Sequence, residues 1–273
     1  MRNEIVAAGV LASLTVAGGA FAQTTAASSG SASGQANVGV SLPGSSTTTT
    51  AAPGTSDHDQ MVGRLAVGYF GVANVGAGAA PGTGPNDSPY AVTGLAPVVG
   101  VRYWLSPLLG LDVGLGMSFI GGSVKITDAG TKNDRQSFTG FVVHGGVPLA
   151  LASSDHFTFE IIPEANVGIG HSGVTPPAPA TGNISYSGFH FDIGARAGAE
   201  IHFGFMKLPQ LSLVGSIGVR FDTDSGKTND TVAAMPGAAV NGKSTSTRSE
   251  FHTTVGPNPW AIFTNQIAAL YYF

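Results

Sequence analysis

Residues 109–119 read LGLDVGLGMSF. Every odd position is large and apolar (Leu109, Leu111, Val113, Leu115, Met117, Phe119). Every even position is Gly, Asp or Ser (Gly110, Asp112, Gly114, Gly116, Ser118). A strict period of two marks a strand whose two faces meet different media. The run is longer than the roughly 5–6 residues of a typical soluble strand and matches the roughly 10-residue signature of a membrane-crossing one. FHFDIGARAGAEIHF, residues 189–203, repeats the pattern with Phe189, Phe191, Ile193 and Ile201 on one face and His190, Asp192, Arg196 and Glu200 on the other.

Working outward from these two, the same parity recurs in eight segments: 63–73, 91–105, 109–119, 137–151, 157–169, 186–203, 211–221 and 260–273. Odd residues form the apolar face in each. The links around Ser106-Pro107, Ser153-Ser154-Asp155 and Met206-Lys207 are short, and the other four are long and rich in Gly, Pro, Asn, Asp and Thr. Short turns on one rim and long loops on the other are the arrangement of an outer-membrane barrel. The expected fold is all-β, an eight-stranded antiparallel up-and-down transmembrane β-barrel over residues 61–273.

A soluble barrel alternates too, but with its apolar face inward. Three features decide between them. The even face holds Gly, Ser, Arg, Asp, Glu and His, and no expected strand contains Lys. That is the composition of an enclosed face. Odd-numbered aromatics gather at both strand ends: Tyr103, Phe157, Phe159, Phe203, Tyr271 and Phe273 near the short turns, and Phe119, Phe141, Phe189, Phe191 and Phe221 near the loops. Two girdles of this kind mark the membrane interfaces. Finally, Met1-Arg2, an apolar run from Ile5 and Ala20-Phe21-Ala22 read as a secretory signal peptide over residues 1–22.

Composition agrees. Charged residues are 10% of the chain, against roughly 25% in soluble domains. Net charge is −4, and without a basic patch nucleic acid is not an expected partner. With no cysteine, disulfides, thiolate metal sites and cysteine nucleophiles are excluded. Residues 23–60, rich in Ser, Thr, Ala and Gly, are expected to be a disordered periplasmic segment.

The whole of residues 61–273 thus resembles a small eight-stranded bacterial outer-membrane β-barrel protein, porin-like in class, of no particular member. The resemblance implies insertion by the barrel-assembly machinery. It also implies that Ile267, Ala269, Tyr271 and Phe273 form the C-terminal assembly signal; Asn265 departs from the pattern with an outward amide. It further implies contact with outer-membrane lipid and lipopolysaccharide, periplasmic termini, a Gram-negative source and a monomer.

Nine ionisable side chains other than His lie in the segments: Arg64, Arg102, Asp112, Glu160, Glu164, Asp192, Arg196, Glu200 and Arg220. All are even-numbered. Chance would place them so about once in 500 trials, because each strand residue has two faces to choose from. Every base is Arg, whose fork suits carboxylates. Hairpin symmetry sets Arg102 opposite Asp112, Glu160 with Arg196, Glu164 near Asp192 and His144 near Asp112. Two uses of such a lumen are open: a plug of Arg–carboxylate pairs, or a narrow passive channel with water beside Gly114, Gly116, Gly168, Gly194, Gly198 and Gly218.

No catalytic set emerges. A lipid-modifying enzyme needs a lipid-facing Ser/His pair, and the odd face of the segments holds no His and no acid. His190 and His202 lie about 40 Å apart along a strand, too far to share a metal. DTDSGKTND, opening the last long loop, carries Asp222, Asp224 and Asp230 but lacks the Glu of a calcium loop. No cofactor, metal or enzymatic activity is expected. The expected role is structural or surface-interacting, with an unidentified extracellular ligand at the long loops as an additional partner.

Overall fold

The computed structural model describes residues 55–80, 88–126, 131–176, 180–233, 242–255 and 267–273. The signal peptide, residues 23–54 and Asn265 lie outside this set, as does the start of the last expected strand. Twelve strands are present among the described residues: β1 (Leu65–Ala79), β2 (Tyr90–Trp104), β3 (Gly110–Ile120), β4 (Ser123–Ile126), β5 (Thr131–Asp134), β6 (Ser137–Gly146), β7 (Leu149–Ser153), β8 (Phe157–Val174), β9 (Ile184–Phe203), β10 (Leu208–Asp230), β11 (Gly242–Thr253) and β12 (Ile267–Tyr272).

These strands make eight staves. Antiparallel pairing runs β1–β2–β3–β6–β8–β9–β10–β12 and returns to β1 through Ala66↔Tyr272 to Tyr69↔Ala269. The ring is closed, so the terminal strand has no open edge there. Two staves are broken. β6 and β7 flank Val147-Pro148, where the proline has no N–H to give a ladder. β11 and β12 lie successively along β10, the first against residues 219–230 and the second against 211–215. A small β4–β5 hairpin stands apart in the second long connection.

Parity holds around the ring. Leu111, Val113, Leu115, Met117, Phe119, Val143, Ile169, Ile193, Ile217 and Tyr271 are exposed, while Arg102, Asp112, Phe138, Glu160, Ile162, Glu200 and Tyr272 are buried. The interior is packed as well as polar. One apolar cluster joins Met61, Phe70, Val98, Trp104, Ile162, Val214 and Leu270; another joins Val75, Ala77, Ala96, Phe138 and Val142. An eight-stranded barrel is just wide enough for side chains to fill it.

β1 breaks the parity, and the break has a local cause. Its register with β2 slips by one residue between Tyr69 and Val72, opposite Pro97, which cannot donate to the ladder. Gly71 takes the slip at φ 106°. The extra residue is a β-bulge, and one residue inverts the facing of all that follows. Val75 and Ala77 therefore point inward, at 1% and 0% exposure. The upper half of β1 leans across the lumen. A Cβ on Gly170 or Gly188 would lie 2.2 or 2.0 Å from the Gly76 carbonyl oxygen, and one on Gly226 2.1 Å from that of Gly78.

Three further differences from the sequence reading have physical reasons. The segment expected to lack order up to residue 60 is helical at α1 (Asp57–Met61). A turn this short is not stable alone. Ser56 and Asp59 cap it reciprocally, the His58 ring meets the Pro107 carbonyl at 2.8 Å, and Asp57 N–H donates to Asp155 O at 2.9 Å. Next, DTDSGKTND is strand, not loop: β10 continues to Asp230 between β9 and β11. Third, β11 falls in a segment read entirely as loop.

The exposed band leads to a labelling expectation. Single cysteines at Leu111, Val113 and Leu115 in the folded protein react with a lipid-dissolved maleimide and resist a water-soluble one. The glycines supply a second test. A Cβ at Gly100 would fall 2.2 Å from Val113 O, whereas Gly145, facing outward, has nothing within 4 Å. Gly100→Ala lowers the yield of heat-modifiable barrel on electrophoresis; Gly145→Ala leaves it unchanged.

Candidate functional site: the charged interior of the barrel

The interior charges form two clusters at different depths. The deeper one lies near the short turns and is centred on Arg102. Its guanidinium makes a two-pronged contact with Asp112, Nε to Oδ1 and Nη2 to Oδ2 both at 2.7 Å, from the directly opposed position on β3. Nη1 donates to Glu160 of β8 at 3.1 Å and to Glu200 of β9 at 3.1 Å. The Glu200 carboxylate also accepts from Ser212 Oγ at 2.5 Å and from the Tyr272 hydroxyl at 2.9 Å, and that hydroxyl accepts from Trp104 Nε1 at 3.0 Å. Arg102 is 1% exposed and its three carboxylate partners 0%. The guanidinium also lies 5.7 Å from the Trp104 ring centroid, within cation–π range.

α1 closes the barrel beneath this cluster. His58, 1% exposed, stands edge-on to Trp104 at 4.5 Å between centroids. Asp57 meets the His156 ring at 2.6 Å. His202 is buried between these groups, 3.8 Å from Glu200.

The second cluster lies nearer the loops. Arg196 grips Glu164 at 2.7 Å and donates to Ser216 at 2.8 Å. Asn166 donates to Asp192 at 2.8 Å and accepts from His144 Nδ1 at 2.8 Å. His190 bridges Asp192 at 2.9 Å and Asp224 at 2.6 Å. Tyr90 donates to Asp224 at 3.0 Å and to the Phe189 carbonyl at 2.6 Å. On the adjoining strands, cross-strand neighbours Arg220 and His252, Asp222 and Glu250, and Asp224 and Arg248 continue the charged face. Arg220 pairs with Asp222 at 3.1 Å, and Arg248 with Glu250.

Several expected contacts are corrected. Arg102 and Asp112 meet as anticipated. Glu160 meets Arg102 instead of Arg196; Arg196 pairs with Glu164; Asp192 stands opposite Asn166; and His144 stands opposite Gly114, while Gly146 faces Asp112. Both registers across long loops differ by two residues from the symmetric guess. A shift of two keeps each side chain on its face and changes only its neighbour. Arg64 sits half-buried just before β1. Ile267, Ala269, Tyr271 and Phe273 share the outward face of the closing strand, with Tyr271 and Phe273 exposed and their rings 5.1 Å apart.

The lumen glycines hold no open space beside them. Added Cβ atoms would lie 2.7 Å from Val98 at Gly114, 3.0 Å from Val98 at Gly116, 3.3 Å from His190 at Gly168, and 2.2 to 2.5 Å from backbone oxygens at Gly194, Gly198 and Gly218. These positions admit close approach of neighbouring groups rather than water. Sequence reading missed Tyr272, Trp104 and Ser212, whose hydroxyl and indole groups complete the deep cluster. It also missed the inward role of Asp222, Asp224, Arg248 and Glu250. Their even numbering was the available signal, hidden because the strand was taken to stop at Phe221 and residues 242–253 were read as loop.

An apolar outer band, a closed eight-stave ring and a charge-filled lumen define the architecture of a transmembrane-type β-barrel. No protein-family model and no curated protein matches the sequence. Among solved structures, the chain is similar to Ail, the attachment invasion locus protein of Yersinia pestis, at 11% identity and a TM-score of 0.35, over 78% of this chain and 100% of that one. It is also similar to a major outer membrane protein from Thermus thermophilus, at 16% identity and a TM-score of 0.37, over 77% and 98%. At these scores neither likeness bears on the interior, whose reading rests on the geometry above.

Removing the central guanidinium tests that geometry. Arg102→Met leaves three carboxylates facing one another in a closed site and destabilises the barrel by roughly 3–5 kcal/mol, as loss of one partner of a buried pair does. Urea unfolding in micelles measures the change. Arg102→Lys recovers only part, because a point charge cannot serve three carboxylates and one two-pronged contact together.

Proposed function

We propose that the protein is a bacterial outer-membrane barrel whose lumen is plugged and whose role is structural or surface-interacting, with its chain ends on the periplasmic side. The observation carrying this reading is the Arg102 cluster at 0–1% exposure, capped by α1. An ion crossing the barrel would have to break the Arg102 contacts with Asp112, Glu160 and Glu200 and displace α1. The filled glycine positions support the plug over a narrow passive channel. Placement in the outer membrane is supported by the outward apolar band and by the aromatics at its two borders. One Ser/His pair does face outward, His171 of β8 opposite Ser187 of β9, both exposed. The residues opposite them on the next strands are Thr139 and Lys227, not a carboxylate that could orient the ring, so the geometry supports the plug over a lipid-modifying enzyme.

Barrel-assembly machinery and lipopolysaccharide are the partners this placement calls for. The outward row ending in Tyr271 and Phe273 is the surface the machinery would read. Purified, folded protein in planar bilayers remains electrically silent at 1 M salt, a concentration chosen only to magnify any current. Steady ohmic conductance from the unaltered chain would instead support the channel.

A further inference from the structure

Beyond the apolar band, the outward side of β8 to β11 changes character. Cross-strand pairing sets His171, Ser187, Lys227 and Thr245 in one row, with Asn229 and Lys243 opposite each other in the next row towards the loops. All six are exposed, and they line a depression of about 380 Å³.

Charge is sorted by face here. The outward positions of β8 to β11 carry no carboxylate, whereas Glu164, Asp192, Asp222, Asp224 and Glu250 sit on the inward side. Asp230, at the end of β10, has inward parity and accepts from the Val232 N–H at 2.9 Å. Among the described residues, Lys227 and Lys243 have no ion-pair partner. They are diagonal neighbours, since Lys227 faces Thr245 and Asn229 faces Lys243, a separation of roughly 7–8 Å across a sheet. Like charges so placed repel, and one phosphate between them meets both ammonium groups. The inward strand bases are all Arg, forked for carboxylates; these two are Lys, a compact charge suited to phosphate.

Height narrows the partner. Lys227 lies six residues from Phe221 on β10, and Lys243 eight from Phe251 on β11. At roughly 3.3 Å per residue these are about 20 and 26 Å of strand beyond the last outward aromatics, or about 15–20 Å of height at the tilt of barrel strands. The headgroup layer of an ordinary bilayer is only roughly 5–8 Å deep on each side. A phosphate reaching both lysines is therefore carried on a taller head. Ser187, Asn229 and Thr245 around them offer hydrogen-bond donors and acceptors for sugar hydroxyls.

We infer that this depression is a docking site for the phosphorylated oligosaccharide head of a glycolipid in the surrounding outer leaflet. The site rests on the outer-membrane placement proposed above and gives the lipid contact a location, Lys227 and Lys243, and a chemistry, phosphate borne on sugar.

Folded, micelle-held protein titrated with lipopolysaccharide bearing a phosphorylated core tests the inference, beside the same lipopolysaccharide stripped of phosphate and phosphatidylglycerol. The phosphorylated glycolipid binds saturably, the other two bind at least tenfold more weakly, and excess inorganic phosphate does not displace it. The double variant Lys227→Gln, Lys243→Gln weakens the phosphorylated glycolipid at least tenfold while the heat-modifiable band persists, and Lys227→Arg with Lys243→Arg retains binding. Should the Gln variant misfold, the three-lipid comparison on the unaltered protein decides. Equal binding of the dephosphorylated form or of phosphatidylglycerol, displacement by inorganic phosphate, or unchanged affinity in the folded Gln variant would overturn the site. Placement is read separately, from cysteines at Leu111, Val113 and Leu115: labelling by the lipid-dissolved probe beside any of those results removes the site alone, and labelling by the water-soluble one removes both.

Discussion

One guanidinium holds the base of the barrel together. Arg102 reaches carboxylates from three other staves, β3, β8 and β9, and through Glu200 it is tied to Ser212 of β10 and Tyr272 of β12. Six of the eight staves are thus joined by side chains across the lumen, in addition to their ladders. Such a cluster is costly to assemble, because every charge in it has left water. It is tolerated because every carboxylate oxygen has a donor: both of Asp112 and both of Glu160 accept from Arg102, and Glu200 accepts from Arg102, Ser212 and Tyr272. Once assembled, it fixes which strand neighbours which. A slip of one residue in any stave would turn its contribution out to the apolar side.

The upper half of the molecule follows from a different constraint. Among the described residues, the closing strand β12 pairs with β1 at four positions, Ala66 to Tyr69. Above them, the bulge at Gly71 inverts the remainder of β1, and the inverted segment turns Val75 and Ala77 onto Ala96, Phe138 and Val142. Its backbone can come that close to β8, β9 and β10 only because Gly170, Gly188 and Gly226 carry no Cβ. The glycines of the even face therefore serve the entry of a strand rather than the passage of solvent.

Period-two alternation made the fold legible because the barrel has only two faces and the chain keeps them chemically distinct. LGLDVGLGMSF allowed one reading, and β3 spans nearly the same residues. The interior was half legible for the same reason. Parity put Arg102, Asp112, Glu160, Glu164, Asp192, Arg196 and Glu200 inside, but pairing depends on register. Register across a long loop depends on loop geometry, which composition does not encode. Arg102–Asp112 was readable because only a short turn separates their strands. DTDSGKTND misled because Asp, Gly, Ser and Asn favour turns in isolation. Flanked by ladders on both sides, the same residues are strand, since β propensity yields to context.

The strand lengths place the remaining chemistry. β10 has 23 residues, a contour of about 76 Å at roughly 3.3 Å per residue, while about 9–11 tilted residues suffice to cross a membrane. Its outward side agrees: Leu213, Ile217, Val219 and Phe221 are exposed and apolar, and the same face then continues as Thr223, Ser225, Lys227 and Asn229. β9 changes in the same way, from Ile193 and Phe189 to Ser187 and Ser185. Alternation of apolar with polar gives way to polar on both sides, as a sheet leaving lipid for water requires. The inward acids and arginines cross that boundary without interruption, from Glu164 and Arg196 up to Asp224 and Arg248. The deep cluster thus ties the staves together at the base, while the upper cluster belongs to a sheet that rises beyond the apolar band, where solutes in water can reach it.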